Sequence, residues 1–270
     1  MSPGPGRGVS ARVTFLGTGT SAGVPVIGCT CGVCRSADPR DRRSRPSIHV
    51  DVPGCASLLV DTSPDLRQQA LAFGLTRVDA VLYTHSHADH ILGLDEIRRF
   101  NAMQGTAIPC YAAPAAWESI RRTFYYAFDG VARQGGGVPR VEAHELDGRP
   151  FTVSGVRVVP VPLWHGQTPI LGFRFGSFAY LTDCSALPDS SWPLVAGVDT
   201  LVIDALRDKK HTTHFTVAEA LEAIARIAPR RAYLTHMAHD LGHAETSARL
   251  PPAVELAYDG LVLDVSVDAA

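Results

Sequence analysis

The stretch Tyr83-Thr84-His85-Ser86-His87-Ala88-Asp89-His90 restricts this chain more than any other. Three imidazoles and a carboxylate fall within the six residues from His85 to His90. They come just after Asp79-Ala-Val-Leu-Tyr83, whose apolar run reads as a buried strand. Donors packed this densely leave charge poorly paired unless a cation gathers them. His85 and His87 stand two apart, so a loop leaving a strand can aim both at one ion. Asp89 and His90 can turn toward a second ion on the opposite side. Neutral imidazole and carboxylate suit zinc, iron or manganese.

A two-ion site needs further donors, and the ends of other strands offer them. His165 follows Val161-Pro-Leu-Trp164, Asp183 follows Phe178-Ala-Tyr-Leu-Thr182, and His236 follows Arg231-Ala-Tyr-Leu-Thr235. Each stands just past an apolar strand, where a rigid sheet can deliver side chains to one rim.

Strand-like segments recur between Gly, Pro and Asp punctuation. They are Arg12–Leu16, Ser57–Asp61, Asp79–Tyr83, Val153–Val161, Leu171–Phe175, Phe178–Leu181, Thr200–Ile203, Ala232–Leu234 and Leu261–Val265. Helical spacing predicts three main helices. One runs to about Phe73, with Ser63 as cap and Pro64 in the first turn. Another runs from Pro114 to about Tyr126, and a third from Val217 to Ile227, with Thr216 and Glu219 as a capping box. Interleaved strands and helices make this an α/β chain. Residues 1–10 read as a disordered, Gly/Pro-rich lead-in, and 11–270 as one domain. The stretch from Ala127 to Pro139 reads as surface loop or mobile lid.

Charge narrows the partners. With 25 basic and 27 acidic side chains the net charge is −2, which argues against a general nucleic-acid binder. A basic run, Arg35, Arg40, Arg42, Arg43 and Arg45, reads as a solvated loop. No apolar stretch is long enough to span a membrane, and the first ten residues carry no hydrophobic secretory segment. The expected compartment is therefore the reducing cytoplasm, where clustered cysteines more often bind metal than pair. Cys29, Cys31 and Cys34 form such a cluster, and His239 can complete a closed, structural Cys3His zinc site. Cys55, Cys110 and Cys184 read as ordinary reduced cysteines.

These motifs resemble the metallo-β-lactamase fold superfamily, whose His-x-His-x-Asp-His motif and later ligands recur here. The resemblance implies an αββα sandwich of two mixed sheets flanked by helices. It places one metal on His85, His87 and His165, another on Asp89, His90 and His236, and makes Asp183 the bridge. Asp89 is then both a ligand and a catalytic group. Asp61 is similar to the family's acid that hydrogen-bonds a ligand imidazole.

Within the superfamily, the cysteine cluster paired with His236-Met-Ala-His239 looks like the phosphodiesterases of the bacterial carbon–phosphorus lyase pathway. The opening Phe15-Leu-Gly-Thr-Gly-Thr-Ser-Ala-Gly-Val-Pro25 is shared with ribonuclease Z as well. The resemblance implies two divalent ions, zinc or manganese, and one structural zinc. It also implies hydrolysis of a small cyclic phosphodiester, such as 5-phosphoribosyl 1,2-cyclic phosphate, by a hydroxide shared between the ions. In Lys210-His211-Thr-Thr-His214-Phe-Thr216, His214 stands where these enzymes keep a non-ligand catalytic histidine, and His211 is the runner-up. Arg98 reads as a surface residue, with phosphate contact as its alternative role. The expected partners are a small phosphorylated substrate and a second copy in a homodimer, with no membrane and no nucleic acid.

A non-enzymatic zinc-binding or scaffold protein would be expected to lack one or more of the seven ligands, and none is missing. Gly17-x-Gly19-x-x-Ala22 satisfies a dinucleotide fingerprint, but no helical periodicity follows it, so that reading is rejected. A ribonuclease Z-like endonuclease would need a basic RNA-gripping protrusion, and no Lys-rich insertion is visible. Lactone or thioester hydrolysis remains an alternative on the same fold.

Overall fold

The computed structural model describes residues 7–131 and 137–269. Seven strands form one sheet in the order β14-β1-β2-β3-β4-β5-β6. In chain order these are β1 (Arg7–Gly17), β2 (Ser47–Val52), β3 (Ala56–Val60), β4 (Ala80–Leu82), β5 (Ile108–Ala112), β6 (Val141–Glu145) and β14 (Val262–Ala269). The second sheet runs β8-β9-β10-β11-β12-β13. Its members are β8 (Val156–His165), β9 (Thr168–Phe175), β10 (Phe178–Leu181), β11 (Thr200–Asp204), β12 (Arg231–Thr235) and β13 (Val254–Leu256). The short β7 (Phe151–Val153) pairs with the start of β8, while Val159–His165 of β8 pairs with β9. One long strand thus passes from sheet to sheet.

The helices are α1 (Leu66–Phe73), α2 (Ala88–Ile91), α3 (Ile97–Gln104), α4 (Pro114–Thr123), α5 (Trp192–Val195), α6 (Val217–Ile227) and α7 (His243–Ser247). Strand alternation sends Val13, Phe15, Val50 and Leu58 inward to meet Phe173, Phe175, Tyr180 and Val202 of the facing sheet. On the outer side of the first sheet, Leu59, Val81 and Tyr83 pack against Leu66, Ile97, Phe100 and Trp117. On the outer side of the second, Leu201, Ile203 and Leu234 pack against Val217, Ala220 and Ile224 of α6. Helix, sheet, sheet, helix is the αββα architecture of the metallo-β-lactamase fold.

Each sheet contains a parallel stretch: β3-β4-β5-β6 in one and β10-β11-β12-β13 in the other. Parallel strands deliver all their C-terminal ends to one edge, and ligands collect in the crevice beyond such ends. Asp61, His85, Asp183, Asp204 and His236 all stand at or just past such an end.

Several boundaries differ from the sequence reading. Residues 7–10, assigned above to a disordered lead-in, belong to β1, where Arg7 to Ser10 pair with Ala269 to Ser266. Their order comes from the far end of the chain, not from local propensity. Ser63 does not cap α1: its hydroxyl accepts from the Asp65 amide, closing a turn before the helix begins at Leu66. α4 ends at Thr123 because Phe124 leaves helical geometry, with φ −110° and ψ 39°. α6 has the expected bounds and both capping-box bonds. No helix begins in the Gly17–Ala22 loop. A Cβ on Gly17 would lie 2.0 Å from the Arg45 carbonyl, so glycine there serves close backbone packing. Of the 127–139 stretch, residues 132–136 lie outside the described residues.

Candidate metal centre

His85, His87, His165 and Asp183 each bring one donor atom to within 4.8 Å of the others, and so do Asp89, His90, Asp183 and His236. Asp183 belongs to both groups. Its Oδ2 lies 3.2 Å from His90 Nε2 and 3.6 Å from His85 Nε2, and its Oδ1 lies 3.0 Å from His236 Nε2. Asp89 Oδ2 is 3.5 Å from both His90 Nε2 and His236 Nε2. The rings of His85, His87 and His165 lie 4.6 to 5.5 Å apart. All seven candidate ligands, from four separate segments, therefore meet.

The donor set fits divalent cations. His85 Nε2 and His90 Nε2 are buried and make no hydrogen bond, although buried polar nitrogens are nearly always satisfied. Both face carboxylate oxygens across gaps a cation would fill. Burial lowers the His85 pKa well below its ordinary value, keeping the ring neutral as a ligand must be. Burial also opposes charge on His90, but Asp183, Asp61 and Asp89 outweigh it and hold that pKa high. His236 behaves alike: burial opposes charge, yet Asp183 and Asp89 raise it to about 10. Concentrated negative potential of this kind attracts cations.

Hydrogen bonds from behind orient the ligands. Asp61 is fully buried, and its Oδ2 accepts from His90 Nδ1 at 2.7 Å, so the Nε2 lone pair points into the cage. The Thr84 amide and hydroxyl donate to the same carboxylate, each at 2.8 Å. His165 Nδ1 donates to the Asp183 carbonyl at 2.7 Å. Asp61, Asp183 and His236 also have left-handed backbone, with φ of 63°, 59° and 60°. Non-glycine residues rarely adopt it, and it clusters at functional sites. Here it swings the side chain out of line with the preceding strand and over the rim.

Asp204 escaped the sequence reading. This fully buried residue ends β11, with Oδ1 3.4 Å from His236 Nδ1 and Oδ2 3.4 Å from His214 Nδ1. The Phe215 amide donates to its Oδ2 at 2.9 Å. Its signal was the one that marked Asp183, a carboxylate closing an apolar strand. The His214 ring stacks on His236 at 4.8 Å and meets His165 edge-on at 4.7 Å. Asp204, His214 and His236 could also gather around an ion. His236 Nδ1 faces Asp204 Oδ1 at 3.4 Å, and neither atom makes a hydrogen bond.

Beside this centre, Cys29, Cys31 and Cys34 place their sulfurs 3.2, 3.5 and 3.5 Å from His239 Nδ1, a compact set of the four donors a structural zinc takes. The Cys34 amide points at Cys31 Sγ and lowers that thiol to about 6, whereas burial raises Cys34 to about 11. The linking segment is tied down by Met237 N donating to Thr18 O and Ala238 N donating to Leu206 O, both at 2.9 Å.

Arg43 departs from the solvated loop expected of its basic run. It is 1% exposed, donates to the carbonyls of Ala238 and Leu241, and pairs with Asp41 at 3.1 Å. It clamps the segment carrying His236 and His239. Arg43→Met is expected to cost about 3–5 kcal/mol by stranding Asp41 and two carbonyls. Denaturant unfolding measures this, and an unshifted midpoint would refute the clamp. Arg98 is half exposed and pairs with Asp95 at 3.1 Å.

Residues 57–237 match the family model described as Beta-lactamase superfamily domain. The crystal structure of a new diphosphatase from the PhnP family is 43% identical, with a TM-score of 0.90, covering 97% of this chain and 99% of that one. Coenzyme PQQ synthesis protein B of Methylobacterium nodulans is 33% identical over 228 residues, 72% of each protein. An octanoyltransferase of Porphyromonas gingivalis is 38% identical over 253 residues, 93% of this chain but 51% of that protein, so the chain spans about half its length. Matched over well over half its length and presenting both donor cages, the chain belongs to the beta-lactamase superfamily.

Proposed function

We propose that the chain is a phosphodiesterase that opens a small cyclic phosphodiester, such as 5-phosphoribosyl 1,2-cyclic phosphate, with His214 donating the proton to the leaving oxygen. The observation carrying this reading is the placement of His214 against both metal cages while it belongs to neither. The likeness to a PhnP-family diphosphatase supports the same chemical class. Two divalent ions, zinc or manganese, would supply a water acidified from ~16 to about 7 and would neutralise charge on the phosphoryl oxygens. His85, His87, His165 and Asp183 would hold one ion, and Asp89, His90, His236 and Asp183 the other. Cys29, Cys31, Cys34 and His239 would hold a structural zinc.

His214 Nδ1 faces Asp204, so its Nε2 is free to carry a proton toward the site. The Asp204 carboxylate, 3.4 Å from Nδ1, holds the ring in place for that role. Among the described residues no helix is long and apolar enough to cross a membrane. A cysteine cluster gathered for metal rather than paired in disulfides supports a reducing, cytoplasmic setting.

The leaving group tests His214 directly. An alkoxide needs a proton as it departs, whereas p-nitrophenolate does not. His214→Ala should slow cyclic ribose phosphate opening by about 10²–10⁴-fold. It should slow bis(p-nitrophenyl) phosphate hydrolysis far less. Equal losses on both substrates would remove the proton-donor role. Wild-type protein that ignores phosphodiesters yet opens lactones would overturn the reaction class.

A further inference from the structure

Asp259 makes four hydrogen bonds and takes no part in the chemistry derived above. It lies just past β13, where both sheets fix the backbone around it. Ala257 N donates to Leu234 O at 2.9 Å, and Gly260 N donates to Phe15 O at 2.8 Å. Oδ1 of Asp259 accepts from the Thr18 amide at 2.9 Å and the Thr18 hydroxyl at 2.8 Å. Oδ2 accepts from the Ser44 amide at 2.7 Å and the Ser44 hydroxyl at 2.6 Å. The side chain is partly buried, and among the described residues no cation forms an ion pair with it. Four donors need acceptors on both oxygens, which a carboxylate offers. An amide side chain would turn its own donors toward one of the two pairs.

The loop anchored in this way reaches the metal centre through Met237. Thr18 O accepts from Met237 N at 2.9 Å, and Thr20 N donates to Met237 O at 3.2 Å. Gly19 N donates to Ser44 O at 2.9 Å, so the amides of residues 18–20 are all satisfied within the protein. The loop is therefore a brace for the backbone and not a cradle for anions. On the other side of His236, Thr235 O accepts from Ala205 N at 3.0 Å. His236 is thus strung between two fixed residues while its own backbone is left-handed, with φ 60°. Such a conformation persists only where its surroundings over-determine it. Freeing Met237 would let His236 relax and carry Nε2 away from Asp183 and Asp89, now 3.0 and 3.5 Å from it.

We infer that Asp259 is a positioning residue for the ion held by Asp89, His90, Asp183 and His236, acting on His236 through the loop 18–20 and the Met237 backbone. It hydrogen-bonds to none of the seven ligands itself. The assignment concerns metal binding and stands whichever ester the enzyme opens.

The test loads purified protein with cobalt(II) and reads metal per chain, the visible spectrum and affinity by competition with a chelator. Cobalt on the cysteine cluster is told apart by its thiolate absorption. Asp259→Asn should bind the His236 ion about 10–100-fold more weakly and alter the spectrum of the cage ions, with the thiolate absorption unchanged. Asp79→Asn is the comparison. Asp79 precedes β4, at the end opposite His85, and accepts from Ser57 N and Arg77 Nε, each at 2.8 Å. That variant should melt lower yet keep wild-type cobalt affinity and spectrum. An Asp259→Asn protein that behaves in the same way overturns the inference. If Asp259→Asn does not fold, Thr18 decides. Thr18→Val loses the hydroxyl and should weaken the same ion by about fivefold or more, whereas Thr18→Ser keeps it and should match wild type. Equal affinities in wild type and both Thr18 variants overturn the inference.

Discussion

Asp183→Asn is expected to lower phosphodiester hydrolysis by about 10³–10⁴-fold or more and to empty at least one of the two active-site metal positions. The magnitude follows from geometry: one carboxylate reaches His85, His90 and His236 through its two oxygens, so neutralising it weakens both cages at once. Asparagine is the informative replacement because it keeps the volume and tolerates left-handed backbone at φ 59°. Elemental analysis of the purified variant and kcat on a cyclic phosphodiester provide the readouts. A variant that kept its metals and turned over within tenfold of wild type would show that Asp183 does not bridge.

Cys31→Ser should remove one further metal per chain and lower stability on the order of 5 kcal/mol, because a closed metal site contributes its binding energy to folding. In a chain of this size that corresponds to a melting temperature lower by roughly 10–20 °C. Activity should fall as well, since His239 lies three residues beyond His236 and a loosened knuckle frees the ligand. Metal stoichiometry and thermal unfolding measured together are decisive. Unchanged values of both would leave the three sulfurs as simple reduced thiols.

How legible these features were in the sequence depended on where their causes lie. The His85–His90 motif announced itself because its donors are contiguous and a buried strand precedes them. Asp183 and His236 were legible because each closes an apolar run. Asp204 closes one too, yet the strand was read as stopping at Ile203, one residue short. Strands β2, β5, β6 and β13 were not anticipated. Ser47–Val52 carries His49 and Asp51 among its apolar residues and is held by β1 and β3, partners distant in sequence. Arg43 shows the same limit from the other side. Its charge and neighbours suggested solvent, whereas its partners are carbonyls almost two hundred residues away. Local pattern reports local causes, and burial of a charge is a tertiary one.

The left-handed residues at the ends of β3, β10 and β12 bear on how this centre can change over time. At Asp61, Asp183 and His236 the conformation admits few side chains cheaply: glycine, asparagine, aspartate and, less readily, histidine. Those are nearly the residues that bind or orient metal. Random drift at these positions is therefore filtered by the main chain before chemistry is consulted. A lineage that lost its ions would keep aspartates, asparagines and glycines at these corners, preserving an outline from which a working centre could re-emerge by few replacements.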